Sequence, residues 1–445
     1  MIKHFNLLFC GLLIFAGSTW SQDIRVTGSN QSLQDLIGSD TLVTVILKPS
    51  GVEDKNLQVI EIGPDYVVFR TQDGLRTSYL KESLQTVQVQ EDRLEQRAMQ
   101  LRQVRALRAE DRKTMERAFE RAGTIFETTS DNQVARIKAA ALITVNNDLD
   151  AQEYLERLLQ SNDLRTQLDA AQAQFLAGNG VSWELVRNGL MSGYRPSRAL
   201  AAMLAGAANM EEAIPILNEM VMDRAADFSA PAARALAHMG QRDMIPRLMS
   251  MIGELNEEKG DAAVYALSYL GGDDVLQTVK ARVPAATGHE RFRLVKVLYL
   301  LRDPMGTDEM QNIFRELPTL APNAAILLAE RGHWEATQFI RQRLDRREDP
   351  TDANLTFRAR YASSLYQGGE LISRAILQEL LRSESRAARE ITLDLIVDMN
   401  DRAFFSIIQP AIENVDTMYA LKACETAAAL GIPQYRERLM MLREY

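Results

Sequence analysis

The chain has 445 residues, of which 46% are hydrophobic and 25% charged, so it can bury a large core and lacks the composition of a disordered protein. Its formal net charge of −9 disfavours a nucleic acid as partner, because like charges repel. The sequence contains no Gly-rich phosphate loop, no nucleophile elbow and no closely spaced histidine pair. It therefore predicts no catalytic residue, no metal and no cofactor.

Residues 1–21 have the pattern of a secretory signal peptide. Lys3 precedes an apolar run, Phe5–Ala16, and Thr19 and Ser21 would stand at positions −3 and −1 of a cleavage site before Gln22. The apolar run is too short to span a bilayer. This pattern predicts a bacterial protein that is exported, periplasmic or secreted, with no transmembrane segment in the mature chain.

Residues 22–90 change to an alternating, β-branched pattern. The predicted strands are Leu42–Lys48, Leu57–Ile62, Tyr66–Thr71, Leu75–Tyr79 and Leu84–Val89. Turn signals such as Asp73-Gly74 separate them, and Lys81–Ser83 forms a one-turn break before the last strand. Five short strands in succession favour a small closed β-barrel.

Three stretches of this region resemble the Sm-like barrel of the bacterial RNA chaperones: Ser32–Asp35, Val43–Gly51 and Tyr79–Ser83. The resemblance implies a related SH3-like barrel, a tendency to form homo-oligomeric rings, and RNA contacts at Gln34, Asp65, Tyr66 and Lys81. Glu82, however, stands where that family has a histidine, and the region is acidic. The fold is therefore expected here without a nucleic-acid ligand.

Residues 91–126 carry mixed charges around a helical stripe of apolar residues. A basic amphipathic helix can lie on a membrane, whereas a helix with both charges more often connects or caps domains. We predict a connecting helix that covers the apolar end of the segment that follows.

Residues 127–445 repeat a helical hairpin. An alanine recurs every 31 residues, at Ala139, Ala170, Ala201, Ala232 and Ala263. A turn residue follows each alanine by eight positions, at Asn147, Gly178, Asn209, Gly240 and Gly271. Later turns are predicted at Asp303, Gly332, Gly368, Asn400 and Gly431. A hairpin of this length cannot bury its apolar stripes alone, so copies must stack.

The alanine-rich helix that closes on glycine, followed by an apolar-Pro-x-Leu helix, is best seen in Ala230–Glu254. This pattern resembles the short bacterial HEAT-like repeat. The resemblance implies a mainly α protein, an α-solenoid of about ten two-helix repeats, preceded here by the small five-stranded β-barrel.

Methionines mark the first candidate contact surface, because eight of the 18 fall between Met203 and Met251. Met222 and Met249 lie 13 and 9 residues after their turns. This offset predicts that both face away from the first helices, toward an inner surface lined by second helices. Glu219 lies on the same side, and Met251 completes the set. Flexible methionine surfaces suit the recognition of apolar peptides.

Two further candidates lie later in the chain. Trp334 follows its turn by two residues, where other repeats are polar, which predicts an exposed contact residue. Arg341 begins a basic run with Arg343, Arg346 and Arg347, a surface for an acidic partner or an anionic lipid.

These observations favour an exported, non-enzymatic scaffold that binds a protein or peptide partner on the HEAT-like solenoid surface. One alternative is an enzyme or chaperone-like lyase whose site is spread over several repeats, as in the HEAT-like bilin lyases. Another is an assembly protein that forms rings through its β-barrel.

Overall fold

The computed structural model describes residues 25–27, 42–47, 53–63, 66–70, 76–89, 107–346 and 350–443. The chain divides into two compact units, Met1–Gln96 and Arg97–Tyr445. Several sequence predictions lie outside the described residues: the signal peptide, the positions Gln34, Asp65 and Arg347, and the first part of the connecting helix.

The first unit contains a sheet of six strands. They are β1 (Arg25–Thr27), β2 (Leu42–Leu47), β3 (Glu53–Ile62), β4 (Tyr66–Arg70), β5 (Arg76–Leu80) and β6 (Leu84–Val89). Their order is β1-β6-β2-β3-β4-β5, with β1 parallel to β6 and the other pairs antiparallel. Alternate residues such as Val43, Val45, Val67 and Phe69 are fully buried, so one face of the sheet forms a core.

The predicted closed barrel of five strands is wrong. The structure has a further strand, β1, and the sheet is open, since its outermost strands β1 and β5 do not pair with each other among the described residues. A strand has two edges, and β6 uses both of them, for β1 and β2. The edge that would close the sheet onto β5 is therefore occupied. The predicted break at Lys81–Ser83 is confirmed as a single 3-10 turn.

The second unit is helical. The helix α1 (Ala109–Thr128) is followed by pairs: α2 (Gln133–Val145) and α3 (Leu149–Leu158), α4 (Leu164–Ala177) and α5 (Trp183–Leu190), α6 (Arg195–Ala207) and α7 (Ile214–Val221), α8 (Ala226–His238) and α9 (Ile245–Ile252), α10 (Glu257–Leu270) and α11 (Gly272–Arg282), α12 (Gly288–Leu300) and α13 (Pro304–Glu316), α14 (Ala321–Glu330) and α15 (Trp334–Asp345), α16 (Asp352–Gln367) and α17 (Ser373–Leu380), α18 (Arg386–Met399) and α19 (Phe405–Ile412), α20 (Thr417–Gly431) and α21 (Pro433–Met441). None of the helices in the described part of the chain is both long and apolar enough to cross a bilayer.

The turn within each pair confirms the repeat. Residues with positive φ recur every 31 positions, at Asn147, Gly178, Asn209, Gly240, Gly271 and Arg302. Further residues with positive φ are Gly332, Gly369 and Asn400. Asparagine and glycine tolerate this conformation best, which is why the sequence marks most of these turns. The last predicted turn residue, Gly431, is the final residue of α20.

Two turns were predicted one residue too late or too early. Arg302, with φ of 60°, takes the left-handed conformation in place of Asp303. Asp303 instead caps α13, accepting a hydrogen bond from the backbone nitrogen of Met305 at 3.1 Å. Likewise Gly369 has a φ of 99°, whereas Gly368 has a φ of −73°.

The small residues of the first helices allow close packing. All five alanines of the 31-residue register are fully buried. The closest approach is at Gly206 in α6, where an added Cβ would lie 2.4 Å from the Cα of Ala235 in α8. The backbones of neighbouring first helices are therefore nearly in contact.

The array does not have two free ends. The helix α1 packs against both α2 and α20, α20 contacts α2, and α21 contacts α4 and α6. Arg121 donates to the carbonyl of Asn414 at 3.1 Å, and Arg438 donates to the carbonyl of Leu176 at 3.0 Å. The last repeats thus contact the first ones, and the helical array closes on itself, which the sequence did not predict.

The first helices connect neighbouring repeats. Most of them contact the first helix of the next pair, whereas second helices contact mainly first helices. The first helices therefore form the continuous row of contacts along the array. The expectation that second helices line an inner surface stays a prediction.

Candidate functional site

The structure separates the residues predicted to contact a partner. Met222 is 64% exposed and Trp334 69% exposed, and Glu219 is also exposed. Met249 and Met251 are only 5% and 0% exposed, so their predicted role at a surface is wrong. The reason is that α9 packs against both α10 and α12, which covers the face expected to be free.

Arg341 lies at the surface but already has a partner. Its Nε donates to the Oε2 of Glu370 at 3.0 Å, which links α15 to the turn before α17. This pair holds two neighbouring repeats together, so Arg341 is not a free cation for a ligand.

Met222 belongs to a larger exposed surface, which we call the apolar ridge. Its members are Met191, Tyr194, Met222 and Leu255, which are 69%, 59%, 64% and 99% exposed. All four lie in the connections from one repeat to the next, after α5, α7 and α9. Since packed helices are spaced by about 8–10 Å, equivalent positions in adjacent repeats lie roughly that far apart.

Local turn chemistry fixes the ridge. Met191 and Met222 are the C-terminal caps of α5 and α7, in the same helical conformation. After each, a short polar side chain accepts a backbone hydrogen bond two residues on: Ser192 from Tyr194 at 3.1 Å, and Asp223 from Ala225 at 2.8 Å. The repeat therefore places both methionine side chains in equivalent positions.

Sequence reasoning missed Met191, Tyr194 and Leu255. A signal was present for Met191, because it follows Gly178 by the same 13 residues that separate Met222 from Asn209. The connections between repeats vary in sequence, so no such register exists for Leu255.

A second surface feature is the groove between α15 and α16, which we call the arginine groove. Its cavity measures about 760 Å³ and is lined by Arg343, Arg346 and Arg358 together with Phe357, Tyr361 and Leu344. An adjoining cavity of about 540 Å³ shares Arg358 with it. Three guanidinium groups thus lie beside an apolar wall.

A third feature is a row of polar residues on the first helices of four pairs. His238, Tyr269, Glu330 and Asp398 each precede their left-handed turn residue by two positions. His238 Nε2 and the hydroxyl of Tyr265 are hydrogen-bonded at 2.8 Å. This register repeats the same location on four different first helices.

The two carboxylates of this row have perturbed protonation. Burial raises the pKa of Glu330 to about 7, opposed by Lys296 and Arg331 and reinforced by Asp398. Burial also raises the pKa of Asp398, although its Oδ1 accepts a hydrogen bond from Arg443 at 2.8 Å. Both carboxyl groups therefore hold their protons to higher pH than free side chains do.

Possible metal ligands and the remaining cysteine can be located in the described residues. Within them, no group of three or more His, Cys, Asp or Glu side chains is placed to hold a metal ion. Cys424 is 1% exposed, and burial raises its pKa to about 12, which keeps the thiol protonated at neutral pH.

Comparison with known proteins gives no match, since neither a family model nor a curated protein aligns significantly with this chain.

Proposed function

We propose that this protein is a non-enzymatic scaffold whose HEAT-like repeats bind a protein or peptide partner through the apolar ridge. The observation that carries the proposal is the exposure of Met191, Tyr194, Met222 and Leu255, each above one half, in three successive inter-repeat connections. Large apolar side chains exposed close together mark interaction sites on soluble proteins. Tyrosine and methionine are also enriched in the centres of interfaces.

The spacing of the ridge suits a helical partner. An α-helix rises about 1.5 Å per residue, so side chains seven residues apart are separated by roughly 10.5 Å. This distance is close to the separation of neighbouring repeats. An amphipathic helix lying along the ridge would place one apolar side chain on each repeat.

Capture experiments test the proposal. The full-length chain carrying Met191→Glu and Met222→Glu should lose a partner that co-purifies with the wild-type protein from the native host. Both residues are exposed, so thermal unfolding followed by circular dichroism should stay nearly unchanged. Leu149→Glu is the matched control, because Leu149 is 75% exposed at the opposite end of a hairpin. Unchanged capture by the double variant, or equal loss in the control, would contradict the proposal.

Export is part of the same proposal, since the partner would be met outside the cytoplasm. It is supported by Lys3, the apolar run and the small residues before Gln22. Amino-terminal sequencing of protein from the native host should begin at or near Gln22, and recovery of an intact Met1 from the cytoplasm would refute it.

A further inference from the structure

The arginine groove contains two cations, Arg343 and Arg346, that pair with no carboxylate among the described residues. Arg358 forms an ion pair with Glu379 at 3.2 Å. Arg343 and Arg346, in contrast, form no ion pair within the described residues. Many arginines of the helical unit do have carboxylate partners, as Arg341 and Arg315 do with Glu370 and Glu335. The described residues of the groove thus carry a local excess of positive charge, whereas the whole chain has a net charge of −9.

The position of Arg343 is defined by packing. Its guanidinium carbon lies 5.1 Å from the centre of the Phe339 ring, a cation–π contact that restricts the side chain while leaving its donors free. Arg346 is exposed and caps the end of α15. Planar guanidinium groups bind carboxylates in a two-pronged geometry, which makes them selective for that group.

One wall of the groove is apolar. Phe357 is 40% exposed and Tyr361 7% exposed, and Leu344 and Pro322 extend the same wall. A volume of about 760 Å³ falls in the range of ligand sites and exceeds what a single phosphate or carboxylate fills.

We propose that the arginine groove binds an acidic peptide segment in which carboxylates flank an aromatic or aliphatic side chain. The carboxylates pair with Arg343 and Arg346, and the apolar side chain packs on Phe357. This site lies in other repeats than the apolar ridge and takes a ligand of different chemistry, so it goes beyond the proposed scaffold contact and does not depend on it.

Charge and shape argue against a membrane as the ligand. Binding to anionic lipid needs an extended basic face, and Asp345 lines the same groove while Glu379 neutralises Arg358. The positive charge is therefore confined to a pocket of peptide size.

Fluorescence anisotropy with the full-length chain tests the site. The probe is a fluorescein-labelled peptide, Glu-Phe-Glu-Leu-Glu, and the reference peptide has glutamine at each acidic position. Arg343→Gln combined with Arg346→Gln should raise the Kd for the acidic peptide by about 10- to 100-fold, because two charge-assisted hydrogen-bonded pairs are lost. Raising the salt concentration should weaken binding of the acidic peptide.

Matched variants separate local from general charge effects. Arg224→Gln with Arg402→Gln removes two other exposed arginines, and it should change the Kd by no more than about twofold. Met191→Glu with Met222→Glu should leave this affinity intact, which separates the groove from the ridge. Equal affinity for the acidic and glutamine peptides, or equal weakening in both arginine double variants, would overturn the proposal. Displacement of the probe by inorganic phosphate, or by phosphatidylglycerol vesicles, at equal concentration would reassign the groove to phosphate or lipid.

Discussion

At the scale of single residues, two glycines in helices have opposite roles. An alanine Cβ at position 206 would lie 2.4 Å from the Cα of Ala235, whereas nothing lies within 4 Å of the corresponding point at Gly123 in α1. We expect Gly206→Ala to lower the free energy of unfolding by about 1–3 kcal/mol, because two backbones must separate. Gly123→Ala should raise it by about 0.5–1 kcal/mol through helix propensity.

Urea unfolding followed by circular dichroism measures both effects. The two variants differ from the wild type by the same methyl group, so each serves as the control of the other. Absence of destabilisation by Gly206→Ala, or an equal loss from Gly123→Ala, would mean that the effect does not come from a close approach of α6 and α8.

Glu330 makes the stability depend on pH. Its native pKa is about 7, above the ordinary value of 4.5. Between these values the unfolded state loses a proton that the native state keeps, so the free energy of unfolding falls as pH rises through this range. The full loss, complete above pH 7, corresponds to about 3 kcal/mol at most.

Glu330→Gln removes this titration. We expect the variant to match the wild type near pH 4.5 and to become progressively more stable than it up to pH 8, as measured by urea unfolding. Glu219→Gln, which makes the same change at an exposed carboxylate, is the matched control. A Glu330→Gln variant that is no more stable than the wild type at pH 8 would refute the buried carboxylate.

The sequence predicts residue positions well where the repeat constrains the backbone. Asparagine and glycine mark left-handed turns because few other residues adopt positive φ without strain. Arg302 breaks this rule, since it has a positive φ although arginine is not a residue type that marks such turns. Met249 shows the other limit: its distance from the turn predicts a free face, but a helix packed from the next repeat covers it.

At the scale of elements, the helix α21 joins the two ends of the array. Arg438 donates to the carbonyl of Leu176, 262 residues earlier in the chain, at 3.0 Å. Arg438→Met keeps much of the side-chain volume and removes the donors. We expect a local loss of about 1.5–3 kcal/mol, since a buried hydrogen bond from a charged group is broken.

Hydrogen exchange detects this loss in two places at once. Amide protection should fall in α21 and also at the end of α4, while Arg315→Met, which breaks the ion pair with Glu335, should act only near α13 and α15. Unchanged protection in α4 would contradict the closure.

The period of the sequence could not have predicted this closure. A repeat describes contacts between neighbours, and the pairing of α1 with α20 or of α21 with α4 joins segments that share no register. The extra strand β1 was missed for a different reason, because three residues are too few to show an alternating pattern. The hairpins and five of the strands were predictable because their patterns are local.

At the scale of the whole molecule, we propose that the partner binds the apolar ridge. A partner that covers the ridge must approach within bonding distance of Met191 and Met222, and it has no reason to approach Leu149. A direct measurement of proximity tests this assignment.

Site-specific photocrosslinking in the native host provides that measurement. Benzoylphenylalanine would replace Met191, Met222 or Leu149, one at a time, in the full-length chain. We expect benzoylphenylalanine at position 191 or 222 to give the same crosslinked adduct on irradiation, and at position 149 to give none. Adducts of equal yield at all three positions, or no adduct at either methionine, would contradict it.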